Sequence, residues 1–140
     1  VTLLDDTSVW SLALRRDAPA TEPEVAALKD ALAGASVVVT TGLVLQELLQ
    51  GFGPPKARAQ VISSFAALAL IQPDREDHIA AAGLRSACRA AGAQLGTIEA
   101  LIAQLCIRHS LTLLTTDRDF VRAAKHSKLK LWSPPSATAK

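Results

Sequence analysis

LTLLTTDRDFVRAAKH, residues 111 to 126, reads as a strand that runs into an acid and then into a helix. The apolar and β-branched run 111–116 favours extended backbone, and helical spacing follows over 118–125. Asp117 suits the cap of that helix, and Asp119 suits its first turn. The chain begins with a similar unit: LLDD closes a strand over residues 2–6 in acid, and SVWSLALRR, 8–16, has helical spacing. Working outward, SVVVT at 36–40 is the strongest strand signal, with LALIQ at 68–72 and LKLW at 129–132 as two more. Helical segments lie between them at 23–34, 43–50, 56–68, 74–92 and 97–106. The Thr21–Glu24 spacing matches a capping box, Thr97 is placed to cap the helix it opens, and Gly34, Gly51 and Gly92 serve as stops.

Strands separated by helices predict an α/β fold with a mainly parallel sheet covered on both faces. A single domain is expected over residues 1–132, with DAPATEP at 17–23 as a loop and SPPSATAK at 133–140 as a flexible tail. The 140 residues are 49% apolar, enough for a core and incompatible with disorder. Charged residues interrupt every apolar run, so no membrane span is expected, and VTLLDD lacks the build of a signal peptide, which favours the cytoplasm. Cys88 and Cys106 fall in helices without metal-type spacing and read as core residues of a reduced protein. The net charge of +2 is modest, but from Arg108 onward seven Lys or Arg face only two acids, a basic rim or merely a solvated face.

The carboxylates carry the chemistry. Asp6 and Asp117 stand at strand ends, where open α/β sheets form their sites. Glu99 projects from its helix toward Ile102, Ala103 and Cys106, away from Gln104 and Arg108. Glu47 shares a helix face with Gln46 and Gln50, as a solvated acid would. Asp5 alternates with Asp6 and sits where a buried strand wants an apolar side chain, at a fraying strand end or in a second polar cluster. If the strand-end acids converge, they repel unless a cation neutralises them, and oxygen-only ligation suits Mg²⁺ or Mn²⁺. Such an ion supports phosphodiester hydrolysis.

DTSVW at 6–10, LQELLQG at 45–51, GTIEALIAQLC at 96–106 and LTLLTTDRDF at 111–120 together resemble the PIN-domain nucleases, especially VapC-type toxins of bacterial toxin–antitoxin pairs. The resemblance implies an α/β/α sandwich and a metal-dependent endoribonuclease leaving a 5′-phosphate and a 3′-hydroxyl. It makes Asp6, Glu47, Glu99 and Asp117 the catalytic acids, with Asp6, Glu99 and Asp117 holding Mg²⁺ or Mn²⁺. Asp119, Ser8 and Thr116 become accessory groups, and Arg118, Arg122, Lys125, Lys128 and Lys130 candidates for gripping RNA. It further implies a VapB-type antitoxin as partner and a homodimer, to which Trp10, Leu12, Leu14 or VISSFAALALI would offer surface if they are not core.

Two positions depart from the family pattern. Glu99 stands where Asp is usual, which moves the carboxylate outward by roughly 1.5 Å, and Asp5 occupies a usually apolar position. A PIN-fold RNA-binding module with impaired catalysis is therefore an alternative. A receiver-type phosphoacceptor domain is disfavoured, because FGPPKARAQV at 52–61 supplies no acceptor Asp.

Overall fold

The computed structural model describes residues 1–15 and 20–135. Arg16 at the expected end of the first helix, residues 17–19 of the expected loop, and 136–140 of the expected tail lie outside the described residues. The elements are β1 (Thr2–Asp5), α1 (Thr7–Ala13), α2 (Pro23–Asp30), a π-type turn over Ala31–Ala35, β2 (Val37–Thr41), α3 (Gly42–Gly51) and α4 (Pro55–Ala66). They continue with β3 (Ala69–Ile71), α5 (Arg75–Ala90), α6 (Thr97–Arg108), β4 (Thr112–Leu114), α7 (Arg118–Ala124) and β5 (Lys130–Leu131).

The strands form one sheet in the order β3-β2-β1-β4-β5, and every pairing is parallel. The chain steps from β1 through β2 to β3 in one direction, then returns past β1 to build β4 and β5. Right-handed crossovers therefore put α1 to α4 on one face and α5 to α7 on the other. The helix contacts divide the same way: α1 touches α2 and α3, α3 touches α4, and α5 packs along α6. The result is the α/β/α sandwich expected from the alternation of strands and helices.

Because the direction reverses between β1 and β4, a crevice opens beyond their carboxyl ends. Leu3, Leu4, Leu113 and Leu114 fill the centre of the sheet, and Val9, Trp10, Val44, Leu48, Ile102, Cys106 and Phe120 cover it. Trp10 lies against Phe65 with ring centroids 4.7 Å apart. Trp10 is thus core, whereas Leu12 and Leu14 are partly buried; in VISSFAALALI, Val61 and Phe65 are buried while Ile62 and Leu70 are exposed. Among the described residues, no helix is long and apolar enough to cross a membrane.

Several element ends differ from the sequence reading, each for a local reason. Pro23 takes the first position of α2 and makes Glu22 the cap residue, without a side-chain hydrogen bond, so the Thr21–Glu24 capping box does not form. Gly51 lies inside α3, and Phe52 is the cap that follows it. Gly34 and Gly92 do stop their helices, at φ of 112° and 83°, values that a side chain would strain. A capping box does open α5: the Asp74 carboxylate accepts from the Asp77 N–H, and Asp77 reciprocates.

Candidate metal centre at the switch point

Asp6 leaves β1 at the crevice, where its N–H still bonds Leu114 O across to β4 at 3.1 Å. Its carboxylate caps α1, accepting from Val9 N–H at 3.3 Å, as a cap residue should. The same carboxylate takes a 2.6 Å hydrogen bond from the Ser8 hydroxyl and another from the Thr115 hydroxyl. Thr115 in turn accepts from Asp117 N–H at 2.9 Å, and Ser8 accepts from Thr116 N–H at 3.1 Å. These bonds lace the end of β1 to the segment after β4, which ends at Leu114 and not at Thr116.

Asp117 caps α7, accepting from Asp119 N–H at 2.9 Å. Glu47 reaches in from α3 and is held by the Thr7 hydroxyl at 3.0 Å. Capping and site-building are therefore one role at Asp6 and Asp117, not competing ones. Asp6, Thr7, Ser8, Glu47, Glu99 and Asp117 line one small cavity of about 80 Å³, floored by Ile102 and Phe120.

Glu99 projects from α6 on the buried side, with Ile102, Ala103 and Cys106, while Arg108 is exposed. The cap of α6 is Gly96, not Thr97, which is the first helical residue. The Glu99 carboxylate folds back over that cap and accepts from the backbone N–H groups of Glu99 and Gly96. A Cβ on Gly96 would sit 2.0 Å from Glu99 Oε1, so only glycine leaves room for the longer acid in this pose.

The electrostatics are those of a crowded acidic pocket. Burial raises the Asp6 carboxyl above its ordinary range, hydrogen bonds from Ser8, Thr115 and Val9 oppose the rise, and the Asp117 charge adds to it. Glu99 is also raised, by burial and then by the charges of Glu47 and Asp117. Asp5 faces the interior beneath the site, fully buried, with no hydrogen-bond partner for either carboxylate oxygen among the described residues. Desolvation, with a contribution from Asp6, pushes it up to about 7. Asp5 is thus no fraying strand end. Burial and the nearby acids push the Cys106 thiol up to about 12, which makes it inert at neutral pH, and neither cysteine is bridged.

As the side chains stand, no three His, Cys, Asp or Glu among the described residues converge to hold a metal ion. Each acid is turned toward a donor of the protein, and Glu99 toward its own helix end. A carboxylate has about four acceptor sites, however, so these bonds leave capacity for a cation. The all-oxygen donor set and the mutual repulsion of Asp6, Asp117, Glu47 and Glu99 fit a hard divalent ion. Bringing them onto one ion requires side-chain rotation, above all of Glu99.

The other expected residues divide. Asp119 lies beside the site but is paired with Arg122 at 3.0 Å. Thr116 contributes its amide, and the hydroxyl that holds Asp6 belongs to Thr115. Arg118 opens α7 at the site edge, but α7 carries Lys125 away from it. Lys130 pairs in register with Thr112, the first residue of β4, so it and the nearby Lys128 lie toward the amino edge of the sheet. Two basic residues outside the sequence expectation, Arg85 and Arg89, line a cavity with Glu99 and Asp119. Their one sequence signal is an i, i+4 spacing on α5.

A parallel sheet whose switch point gathers acids from β1, α3, α6 and the β4–α7 turn defines an α/β domain of the acidic-pocket type. Residues 4–126 match the model of the PIN domain, and the chain belongs to that family. No curated protein sequence matches the chain. Similar solved structures include VapBC2 from Rickettsia felis bound to a promoter DNA fragment (19% identity, 95% of this chain and 100% of that one, TM-score 0.73). Others are VapC20 of Mycobacterium tuberculosis, a sarcin–ricin loop-cleaving toxin (16%, 91% and 98%, 0.65), and VapBC-5 of the same organism, from the VapBC family of toxin–antitoxin systems (20%, 93% and 96%, 0.63). At these identities the likeness establishes the fold.

Proposed function

We propose that this chain is a divalent-metal-dependent endoribonuclease acting as the toxin of a toxin–antitoxin pair. The observation that carries the reading is the cavity of about 80 Å³ walled by four acids from four separate segments, with no basic side chain in its lining. Asp6, Glu99 and Asp117 would hold Mg²⁺ or Mn²⁺, with Glu47 and Asp119 at the margin. When bound, the ion supplies a Lewis acid for a water and for the scissile phosphate.

The rest is work for the chain itself. Ser8 and Thr115 clamp Asp6 in one orientation, and Thr7 does the same for Glu47. Such supporting bonds typically govern how well a carboxylate serves as ligand. Asp6 and Glu99 are both raised by burial, with like charge adding to the rise, so a cation among them would favour their charged forms. Glu47, held by Thr7 in the same cavity, would orient the attacking water and accept its proton. Ile102 and Phe120 exclude bulk water from one wall.

The toxin assignment and a VapB-type antitoxin as partner are supported by the VapBC assemblies among the similar structures, and a homodimer is proposed on the family resemblance alone. Cleavage-end mapping on total RNA with the purified chain tests the activity. Mg²⁺- or Mn²⁺-dependent cuts leaving a 5′-phosphate and a 3′-hydroxyl are expected, with Asp6→Asn reducing the rate by more than about 100-fold, beyond the loss typical of a supporting residue. Cuts that survive chelation, or that Asp6→Asn leaves intact, contradict the reading.

One observation favours a second reading, a PIN-fold RNA-binding module impaired in catalysis: Glu99 is turned onto Gly96. An inactive chain that regains cleavage on Glu99→Asp would establish it.

A further inference from the structure

We propose that Arg85 and Arg89 form a phosphate-gripping subsite for an RNA strand, adjoining the acidic cavity. The inference rests on the nuclease reading for its substrate class, and on different residues for its geometry. Arg85 and Arg89 stand four apart on α5 and so share one face. Both line a cavity of about 420 Å³, with Glu99 and Asp119 also in its lining. Glu99 belongs to this cavity and to the smaller acidic one, so it forms their common wall.

Neither arginine is spent on an ion pair among the described residues, whereas Arg108 and Arg122 are both ion-paired. The Arg85 Nε–H donates to Leu95 O at 2.9 Å, which fixes the guanidinium plane. Among the described residues no hydrogen bond engages its two terminal amino groups, and a planar guanidinium matches two oxygens of a phosphate. Arg89 is exposed, and Gln94 adds an amide donor at the rim.

Opposite charges thus share a hollow without touching. A strand with one phosphate at the cation site and a neighbouring phosphate on the arginines would satisfy both. The C-terminal lysines cannot perform this task, because Lys128 and Lys130 lie toward the other edge of the sheet. Phosphate contacts of this kind set affinity and register without reading sequence.

The test is fluorescence anisotropy of a short labelled single-stranded RNA with the full chain carrying Asp6→Asn to prevent cleavage, over a range of salt. Adding Arg89→Glu, which removes no hydrogen bond of the fold, is expected to weaken binding about tenfold and to lower the salt slope by roughly 0.7 to 1.4. Arg85→Lys is expected to act in the same direction, and a Lys128→Ala/Lys130→Ala pair to bind as the parent does. Inorganic phosphate at matched phosphate concentration is expected not to displace the RNA. An unchanged affinity and slope for Arg89→Glu, a larger loss from the lysine pair, or displacement by inorganic phosphate would overturn the subsite. Arginine-dependent binding by a chain that never cleaves RNA would refute the nuclease and uphold the subsite. Metal-dependent cleavage with KM unchanged in Arg89→Glu would do the reverse.

Discussion

Two acidic clusters in this molecule solve the same electrostatic problem in opposite ways. At the start of α5, Asp74 and Asp77 are met by Arg108, whose guanidinium lies 3.0 Å from Asp74 and closer still to Asp77. Burial alone would raise Asp77, but hydrogen bonds from the Asp74 N–H, Arg108 and Gln104 bring it below its ordinary value. At the switch point, Asp6, Glu47, Glu99 and Asp117 meet no such cation in the cavity they line, and Asp6 and Glu99 are raised. In the first cluster a guanidinium of the fold pairs with both acids and ties the start of α5 to the end of α6. The second meets no cation of the fold in its cavity, and a cation from outside would relieve the repulsion among its acids.

The contrast is sharpest in pH dependence. A carboxyl raised in the folded state stabilises it below the unfolded value and loses that contribution as pH climbs through the folded value. For Asp5, moving from 3.8 to about 7, the loss is on the order of 4 kcal/mol between roughly pH 4 and pH 8. Asp6 and Glu99 act in the same direction. Urea unfolding of the metal-free chain should therefore show stability falling over that window, and Asp5→Asn should remove most of the fall. Asp77, lowered in the folded state, works the other way: its contribution is present above the unfolded value and disappears as pH drops below it. A flat profile for the parent chain would erase the contrast.

A smaller effect probes the support of the acidic pocket. Thr115→Val keeps the shape but removes the hydroxyl that clamps Asp6 and receives the Asp117 amide. Metal-dependent cleavage should fall about 10- to 100-fold, with a weaker metal affinity, and undiminished cleavage would show that Asp6 needs no clamp. Smallest for function is Arg108→Gln, at the other cluster. It should lower the melting temperature while leaving cleavage intact, and a loss of cleavage there would join the two clusters into one system.

Much of this contrast could be read in the sequence, for physical reasons that vary by residue. The β-branched run at Val37–Thr41 and the acids closing β1 and β4 follow from local preference and strand-end placement. Glu99 was visible because helical geometry put its charge on the apolar side. What escaped depends on contacts distant in sequence or on the exact frame of a helix. Thr115 rather than Thr116 bonds Asp6 because β4 ends early, a register that composition does not encode. Gly96 caps α6, and Glu99 in its folded-back pose occupies the space where a Cβ would stand. The C-terminal lysines looked like a rim beside Asp117, but α7 carries the chain to the far edge of the sheet before they occur. Arg85 and Arg89 come close to the acids only because α5 packs along α6.

The central claim, that the switch-point acids take an external cation, is tested most directly by thermal unfolding during a Mn²⁺ titration without RNA. A saturable rise in melting temperature is expected, corresponding to about 2.7 kcal/mol at a hundredfold excess over Kd. The rise should be retained in Arg108→Gln and lost in Asp6→Asn. No rise in the parent chain, or an equal rise in Asp6→Asn, would contradict it.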